Sequence, residues 1–270
     1  MYNDEIFDTV FYTLMSIHAG EVIYDKAIPD LNDWLIEGPG TAVVKGDSLI
    51  LKPLVFKEMQ QVIKSGELKA NNYFPDYEAY AKDFMSQYVS DLTQYYIKGE
   101  KGNQEFRGGH FNFWLKQELP ENFSISFDFE TLSPSALHMI MFCASIPGKK
   151  DIFNPQKARH GLAQEIMWSD MQQYRISFFA PHRKTANMRR APGRNMVAKG
   201  LDPASDKPFV KSTHLIERKH DTVRYFVNNK LVLTYKDENP LSAGHAGFRV
   251  MVCAGGKYSN IKITKLENEK

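Results

Sequence analysis

A chain of 270 residues with 43% apolar and 13% aromatic content can bury a sizeable core, as one large all-β domain or two small ones. No run approaches the roughly 18 apolar residues of a membrane span, and a net charge of only +2 argues against a nucleic-acid partner. Cys143 and Cys253 lie in apolar strand-like runs; they make no disulfide framework and read as buried thiols rather than metal ligands.

In chain order, residues 5–17 have the pattern of a short helix. Asp4, Glu5 and Asp8 stand where a signal peptide would be positive, so the chain as given does not read as a secretory precursor. That leaves a cytoplasmic protein or the mature form of an exported one. The β pattern begins at Glu21–Asp25, and Thr41–Val44 with Ser48–Leu51 reads as a hairpin about Lys45-Gly46-Asp47.

Residues 55–98 break that pattern. Tyr80, Ala81, Phe84, Met85, Tyr88, Val89, Leu92, Tyr95 and Tyr96 recur at spacings of three and four, which predicts an amphipathic helix. Pro75 suits its first turn and Gly99 its end. With a weaker run over Val55–Lys64, this is a two-helix insertion, either a cap or a wall of a cleft. Alternation returns from Phe106, with strands expected over 106–116, 123–131, 137–144, 173–180, 186–190, 194–199, 211–218, 222–228, 231–236, 245–253 and 257–265. Many short strands with Gly, Pro and Asn punctuation predict a single β-sandwich domain spanning 1–270.

Strand parity nominates a site. In Gly109–Trp114, Phe111 and Phe113 take one face, and His110, Asn112 and Trp114 take the other. Asp128 and Glu130 alternate with Phe127 and Phe129 in the following strand, so the two carboxylates are expected across from Trp114. A Trp among amides and imidazoles suits a sugar ring and its hydroxyls, although a solvated face with a half-buried Trp has the same pattern. His138 sits in a strand apolar on both faces, as a structural residue or as a base. Gln164, Glu165 and Trp168 occupy a loop before the strand that carries Tyr174 and Arg175.

Met171–Leu201 holds no Asp or Glu but seven positive charges: Arg175, Arg183, Lys184, Arg189, Arg190, Arg194 and Lys199. His182 and Asn187 lie among them, and the rest of the chain carries −5. A basic excess on an acidic body attracts an anionic partner, and arginine's planar fork binds carboxylate or sulfate bidentately. Arg249, alternating with Phe248 and Val250, is expected on the same face. No phosphate loop, metal-spaced His/Cys cluster or nucleophile elbow is present.

The segments GGHFNFW (108–114), NFSISFDFE (122–130), MIMFCA (139–144), QYRISFF (173–179), NMRR (187–190), VAKGLDP (197–203), VRYFVNNKLV (223–232) and GFRVM (247–251) resemble the YesU-like family. The resemblance implies a concanavalin A-like jelly-roll β-sandwich, an all-β fold here bearing the insertion over about 55–98. Members are often found in bacterial gene clusters for breakdown of acidic polysaccharides. By resemblance, His110, Asn187, Arg189 and Arg249 match the family's polar motifs. Two departures stand out: a longer insertion, and Gly161–Trp168 where relatives tend to carry a His-rich Gly-Asp stretch.

The expected function is binding, with or without cleavage, of an oligosaccharide bearing uronic acid or sulfate. Arg175, Arg189, Arg190 and Arg249 would face the acid, with His182 and Gln164 beside them. Trp114 or Trp168 would stack on a ring, and Asn112 and Asn187 would bond hydroxyls. A lyase would take its base from His110, His138 or Tyr174. A hydrolase would take two carboxylates from Asp128, Glu130 and Glu165. A non-catalytic binding protein needs neither, and a scaffold built on the insertion is a third class. No cofactor is required, although a structural Ca²⁺ is compatible with the fold class. On this reading, replacing Arg189 and Arg249 together abolishes binding and spares the fold.

Overall fold

The structure is a computed structural model and describes residues 20–69, 75–99, 101–134, 137–155 and 157–267. The helix expected over 5–17 lies outside the described residues. The first elements are β1 (Val22–Asp25), β2 (Trp34–Glu37), β3 (Gly40–Lys45) and β4 (Ser48–Pro53), then helices α1 (Phe56–Ser65) and α2 (Pro75–Met85). A small hairpin, β5 (Tyr96–Lys98) and β6 (Gln104–Phe106), leads into β7 (Phe111–Glu118), β8 (Phe123–Thr131) and β9 (His138–Ser145). A short helix α3 (Ala163–Met167) precedes β10 (Gln172–Phe178), β11 (Thr185–Ala191) and β12 (Asn195–Leu201). The chain closes with β13 (Ser212–Lys219), β14 (Thr222–Val227), β15 (Lys230–Lys236), β16 (His245–Val250) and β17 (Gly256–Lys265).

These strands form two antiparallel sheets packed face to face. One has eight strands, in the order β15-β14-β13-β8-β17-β4-β3 with β1 also on β17; the other has seven, in the order β12-β11-β10-β9-β16-β7-β2. Asn228 and Asn229 take left-handed φ values of 50° and 62° between β14 and β15, the tight turn that asparagine tolerates. Between the sheets lie Phe111, Phe113 and Leu115 of β7 and Phe123, Ile125, Phe127 and Phe129 of β8. Phe127 meets Phe248 edge-on at 5.2 Å, and Phe129 meets Phe178 at 5.1 Å. Each such ring contributes roughly 1.5–3 kcal/mol by burial.

Polar groups in this layer correct three expectations. His138 faces the core, not a cleft: its Nδ1 lies 2.9 Å from the Tyr258 hydroxyl, and burial lowers its pKa to about 3. It is a neutral packing residue. Tyr174 also points inward, donating to Asp237 Oδ2 at 2.6 Å and accepting from Leu241 N at 3.0 Å, and burial raises its pKa further from neutrality. Arg190 shares its parity. Its Nε lies 3.0 Å from Asp237 Oδ2, and its NH2 donates to Asn239 O at 3.0 Å, so it ties the two sheet edges together. Cys143 and Cys253 are buried, and neither forms a disulfide.

The insertion differs from its periodicity. The second helix stops at Met85 instead of running to Tyr96, and Gly99 turns the β5–β6 hairpin, donating to Asn103 O at 2.7 Å. Ser86–Asp91 contains weak helix formers, and the β-branched and aromatic residues after it suit an extended strand. Tyr88, Val89 and Leu92 are thus held by turns and a short 3₁₀ segment, yet Val89, Leu92 and Tyr95 still pack on Met59, Ala81 and Met85. Apart from the exposed Tyr88, the apolar stripe is thus largely a buried face, carried by a helix that ends at Met85 and by the turns after it rather than by one continuous helix.

Candidate functional site

The outer face of the seven-stranded sheet is where the expected residues gather. Strand register places Glu37, Asn112, Arg249, Met139, Ser177, Asn187 and Lys199 in one row across all seven strands. The adjacent row runs Leu35, Trp114, Gly247, Met141, Arg175 and Arg189. Alternation fixes this outcome, since the intervening residues fill the core.

Over β2, β7 and β16 the face is covered by the chain itself. Arg159 Nε donates to Glu37 Oε2 at 2.6 Å, and Asn112 Nδ2 donates to Glu37 Oε1 at 2.8 Å. Arg249 NH1 then donates to Asn112 Oδ1 at 2.9 Å and to Gly161 O at 2.6 Å. The segment 159–167 lies flush on the sheet. A Cβ on Gly161, whose φ is +83°, would sit 2.4 Å from His110 O, and one on Gly38 would sit 2.5 Å from His160 O. Glu165 fastens the segment from within, accepting from His160 N and Leu162 N at 2.8 Å each, with His160 Nδ1 at 3.2 Å. Glu165 and Gln164 belong to α3 rather than to a loop, and Gln164 Oε1 is buried there without a partner.

This cover overturns two expected roles. Trp114 is 0% exposed and packs with Met141, Ile152, Ile166 and Met171, so no ring can stack on it. Arg249 is 1% exposed, and burial lowers its pKa to about 10 despite Glu165, Glu37 and Glu78 nearby. His110 is likewise buried. Its Nδ1 accepts from Val252 N at 3.1 Å, so the ring proton sits on Nε2, 3.1 Å from Glu78 Oε1. Glu78, on α2, also accepts from Arg107 NH1 at 2.6 Å. This contact locks the helical insertion to the sheet and leaves His110 below its ordinary pKa through burial.

Over β10, β11 and β12 the face is open and basic. Arg175 and Arg189 are direct cross-strand neighbours, and like charges in that position are destabilising unless something anionic joins them. Arg175 is 2% exposed; its NH2 donates to Gly193 O at 3.0 Å and its NH1 has no partner. Burial, then Arg189, Arg249 and Arg194, bring its pKa down to about 10. Arg189 NH1 donates to Arg194 O at 3.1 Å. Among the described residues no Asp or Glu forms an ion pair with Arg175, Arg189, Arg194 or Lys199. Asn187 accepts from Thr185 Oγ1 at 3.1 Å through Oδ1, and Ser177 Oγ accepts from Arg183. At the rim, Gly193 N donates to Met167 O at 2.5 Å, which sets Trp168, 60% exposed, beside the β11–β12 turn. His182 is exposed in the turn between β10 and β11.

The carboxylate pair lies elsewhere. Asp128 and Glu130 share a face, as parity required, but β8 belongs to the eight-stranded sheet and that face is its outer one. Asp128 accepts from Thr213 Oγ1 and Asn260 Nδ2 at 2.8 Å each and pairs with Lys211 at 3.0 Å; Glu130 pairs with Lys257 at 3.7 Å. The whole core separates them from Trp114. Sequence reasoning missed Glu37, Glu78 and Arg159, and the apolar run Trp34-Leu35-Ile36 was the one local signal for β2. Among the described residues no three His, Cys, Asp or Glu come together to hold a metal ion, and no helix is long and apolar enough to cross a membrane.

The family described as Domain of unknown function (DUF1961) matches residues 87–263. The uncharacterized protein YesU of Bacillus subtilis (strain 168) is 26% identical over 168 residues, 57% of this chain and 76% of its own. A protein of unknown function with a galectin-like fold, also from Bacillus subtilis, superposes with a TM-score of 0.67 at 20% identity, covering 93% of this chain and 98% of that one. The potassium-bound carbohydrate recognition domain of Emp46p superposes with a TM-score of 0.50 at 10% identity, covering 93% and 100%. At these identities the structural likenesses establish the fold: a concanavalin A-like jelly-roll sandwich.

Proposed function

The chain belongs to the DUF1961 family, the YesU-like proteins, and from its basic face we propose that it binds an oligosaccharide bearing uronic acid or sulfate groups. The observation that carries this reading is the cross-strand pair Arg175–Arg189, unneutralised by any acid among the described residues and joined by Arg194 and Lys199. Arg189 and Arg194 take the acid groups, and Arg175 adds positive potential from beneath them. Asn187 and Ser177 lie beneath the arginines, buried and bonded to Thr185 and Arg183, and support the strip rather than the ligand, whereas Trp168 offers an exposed ring at the rim. The carbohydrate recognition domain among the structural neighbours supports a saccharide ligand.

Binding without cleavage is the reading we favour. A general base must reach its proton within about 3 Å. His138 and Tyr174 are turned into the core, His110 is engaged at both ring nitrogens, Glu165 is occupied by backbone amides, and Asp128 and Glu130 lie on the other sheet. Titration calorimetry with oligouronates, sulfated oligosaccharides and neutral counterparts tests the proposal. Acidic ligands should bind and should weaken with added salt, because the strip is solvent-facing. Equal affinity for neutral ligands would refute it. The same samples, read for unsaturated-uronate absorbance and new reducing ends, would reveal a lyase or a hydrolase.

A further inference from the structure

A second polar site lies at the end of the seven-stranded sheet, away from the basic face. A cavity of about 410 Å³ opens where β7, β9, β10 and β16 meet, between the turn 146–152 and the segment 242–245. Gln172, in its wall, is three residues before Arg175 along β10, roughly 10 Å away. Part of its floor is bare backbone, since a Cβ on Gly244 would sit 2.4 Å from Ala144 O. The volume falls within the roughly 300–1,000 Å³ of small-molecule sites.

The lining is rich in polar groups that the protein does not use. Among the described residues the side chains of Lys149, Lys150, Gln172, Ser242 and Glu118 form no hydrogen bond or ion pair. Asp151, the other acid in the wall, is engaged by Phe153 N at 2.8 Å. His245 is 5% exposed, its ring lies 4.6 Å from that of Phe153, and its Nδ1 has no partner. Burial keeps this imidazole below its ordinary pKa against the pull of the Leu115 and Gln117 backbone and of Glu118, so the ring is a neutral part of the wall.

We infer that this cavity binds a small hydroxyl-rich carboxylate, a sugar acid of one or two rings, with its carboxylate on Lys149 and Lys150 and its hydroxyls on Glu118, Gln172 and Ser242. Lys149 and Lys150 balance Glu118 and Asp151 in formal charge, and the two ammonium groups, in no ion pair among the described residues, are the groups left to meet a ligand's carboxylate. Glu118 supplies acceptors, and Gln172 and Ser242 supply both donors and acceptors. The inference stands on this cavity alone and not on the arginine strip.

D-Glucuronate is the probe, with D-glucose and acetate as controls, followed by calorimetry and by amide shifts of Gly244 and His245. Glucuronate should bind and move those amides, with glucose and acetate each at least about tenfold weaker. The K149A/K150A double variant, which changes exposed lysines and should fold normally, should lose at least about tenfold in affinity. In R189A/R194A the Gly244 and His245 amides should titrate with glucuronate as they do in the parent, whatever the arginine strip itself loses. No glucuronate binding, equal binding in K149A/K150A, or equal binding of glucose or acetate overturns the inference. Loss in R189A/R194A alone would overturn it while assigning glucuronate to the arginine strip, so the two sites fail separately.

Discussion

Two halves of one sheet face use arginine in opposite ways. Over β2, β7 and β16, Arg249 is enclosed by Asn112 and Gly161 O, with Glu37, Glu78 and Glu165 in its surroundings. Over β10 to β12, Arg175 and Arg189 adjoin each other, and among the described residues no acid pairs with either. The residue type and the facing direction are the same; the neighbours decide whether the charge is structural or available. Each arginine keeps one buried nitrogen without a partner, NH2 in Arg249 and NH1 in Arg175; the one with acids around it holds the fold, whereas the one whose like-charged neighbour is not neutralised calls for an outside anion.

The largest effect should come from the covered half. Arg249→Ala strips Asn112 Oδ1 and Gly161 O of their donor and leaves a void under segment 159–167, a loss of about 3 kcal/mol or more in unfolding free energy. Chemical denaturation measures it. An undiminished midpoint would dissolve the distinction between the halves. The sequence-level expectation that Arg249 could be removed without disturbing the fold is thereby reversed.

In the open half the same substitution should do the converse. Arg189→Ala should weaken an acidic oligosaccharide about tenfold to thirtyfold, and stability should hold or rise as its repulsion with Arg175 is relieved. A large fall in stability with unchanged affinity would place Arg189 with Arg249 as a structural group.

Acid sharpens the contrast further. The folded pKa of His110 lies below the ordinary 6.5 because the ring is buried, so below pH 6.5 the unfolded chain binds more protons than the folded one. Its contribution to stability is complete above 6.5 and declines as pH falls from there toward the folded value. Protonation also fills Nδ1 and expels the Val252 amide. Hydrogen exchange at Val252, corrected for its intrinsic rate, should therefore accelerate on acidification, while β11 amides beside the non-titrating arginines stay protected. Uniform loss of protection in both places would contradict that separation.

The sequence made the strip legible and hid its cover, for a physical reason. A charge excess and a period-2 alternation are properties of neighbouring residues, so Arg175, Asn187 and Arg189 could be set on one face from local pattern alone. Which sheet a strand joins is not local: β7 and β8 follow each other in the chain yet lie in different sheets, and Asp128 and Glu130 were displaced accordingly. The cover is less local still. Arg159, in a segment with no periodicity to read, reaches Glu37 across 122 positions, and Arg249 of β16 reaches Gly161 O of that segment across 88. Trp114 and Trp168 illustrate the result: parity placed the first correctly but could not tell that chain lies over it, whereas the second, from the covering segment, is the exposed one.

Trp168 carries the smallest predicted effect and the finest discrimination. Its ring is 60% exposed, so Trp168→Ala should change stability by no more than about 0.5 kcal/mol. A sugar ring stacked on the indole would lose contact worth about 1 kcal/mol, a several-fold fall in affinity that added salt should not alter. Arg189→Ala, by contrast, removes a salt-sensitive contact. Comparing the two variants at low and high ionic strength separates stacking from charge. Parent-like affinity in Trp168→Ala would leave the open half a purely electrostatic strip that reads the acid groups of a ligand and not its rings.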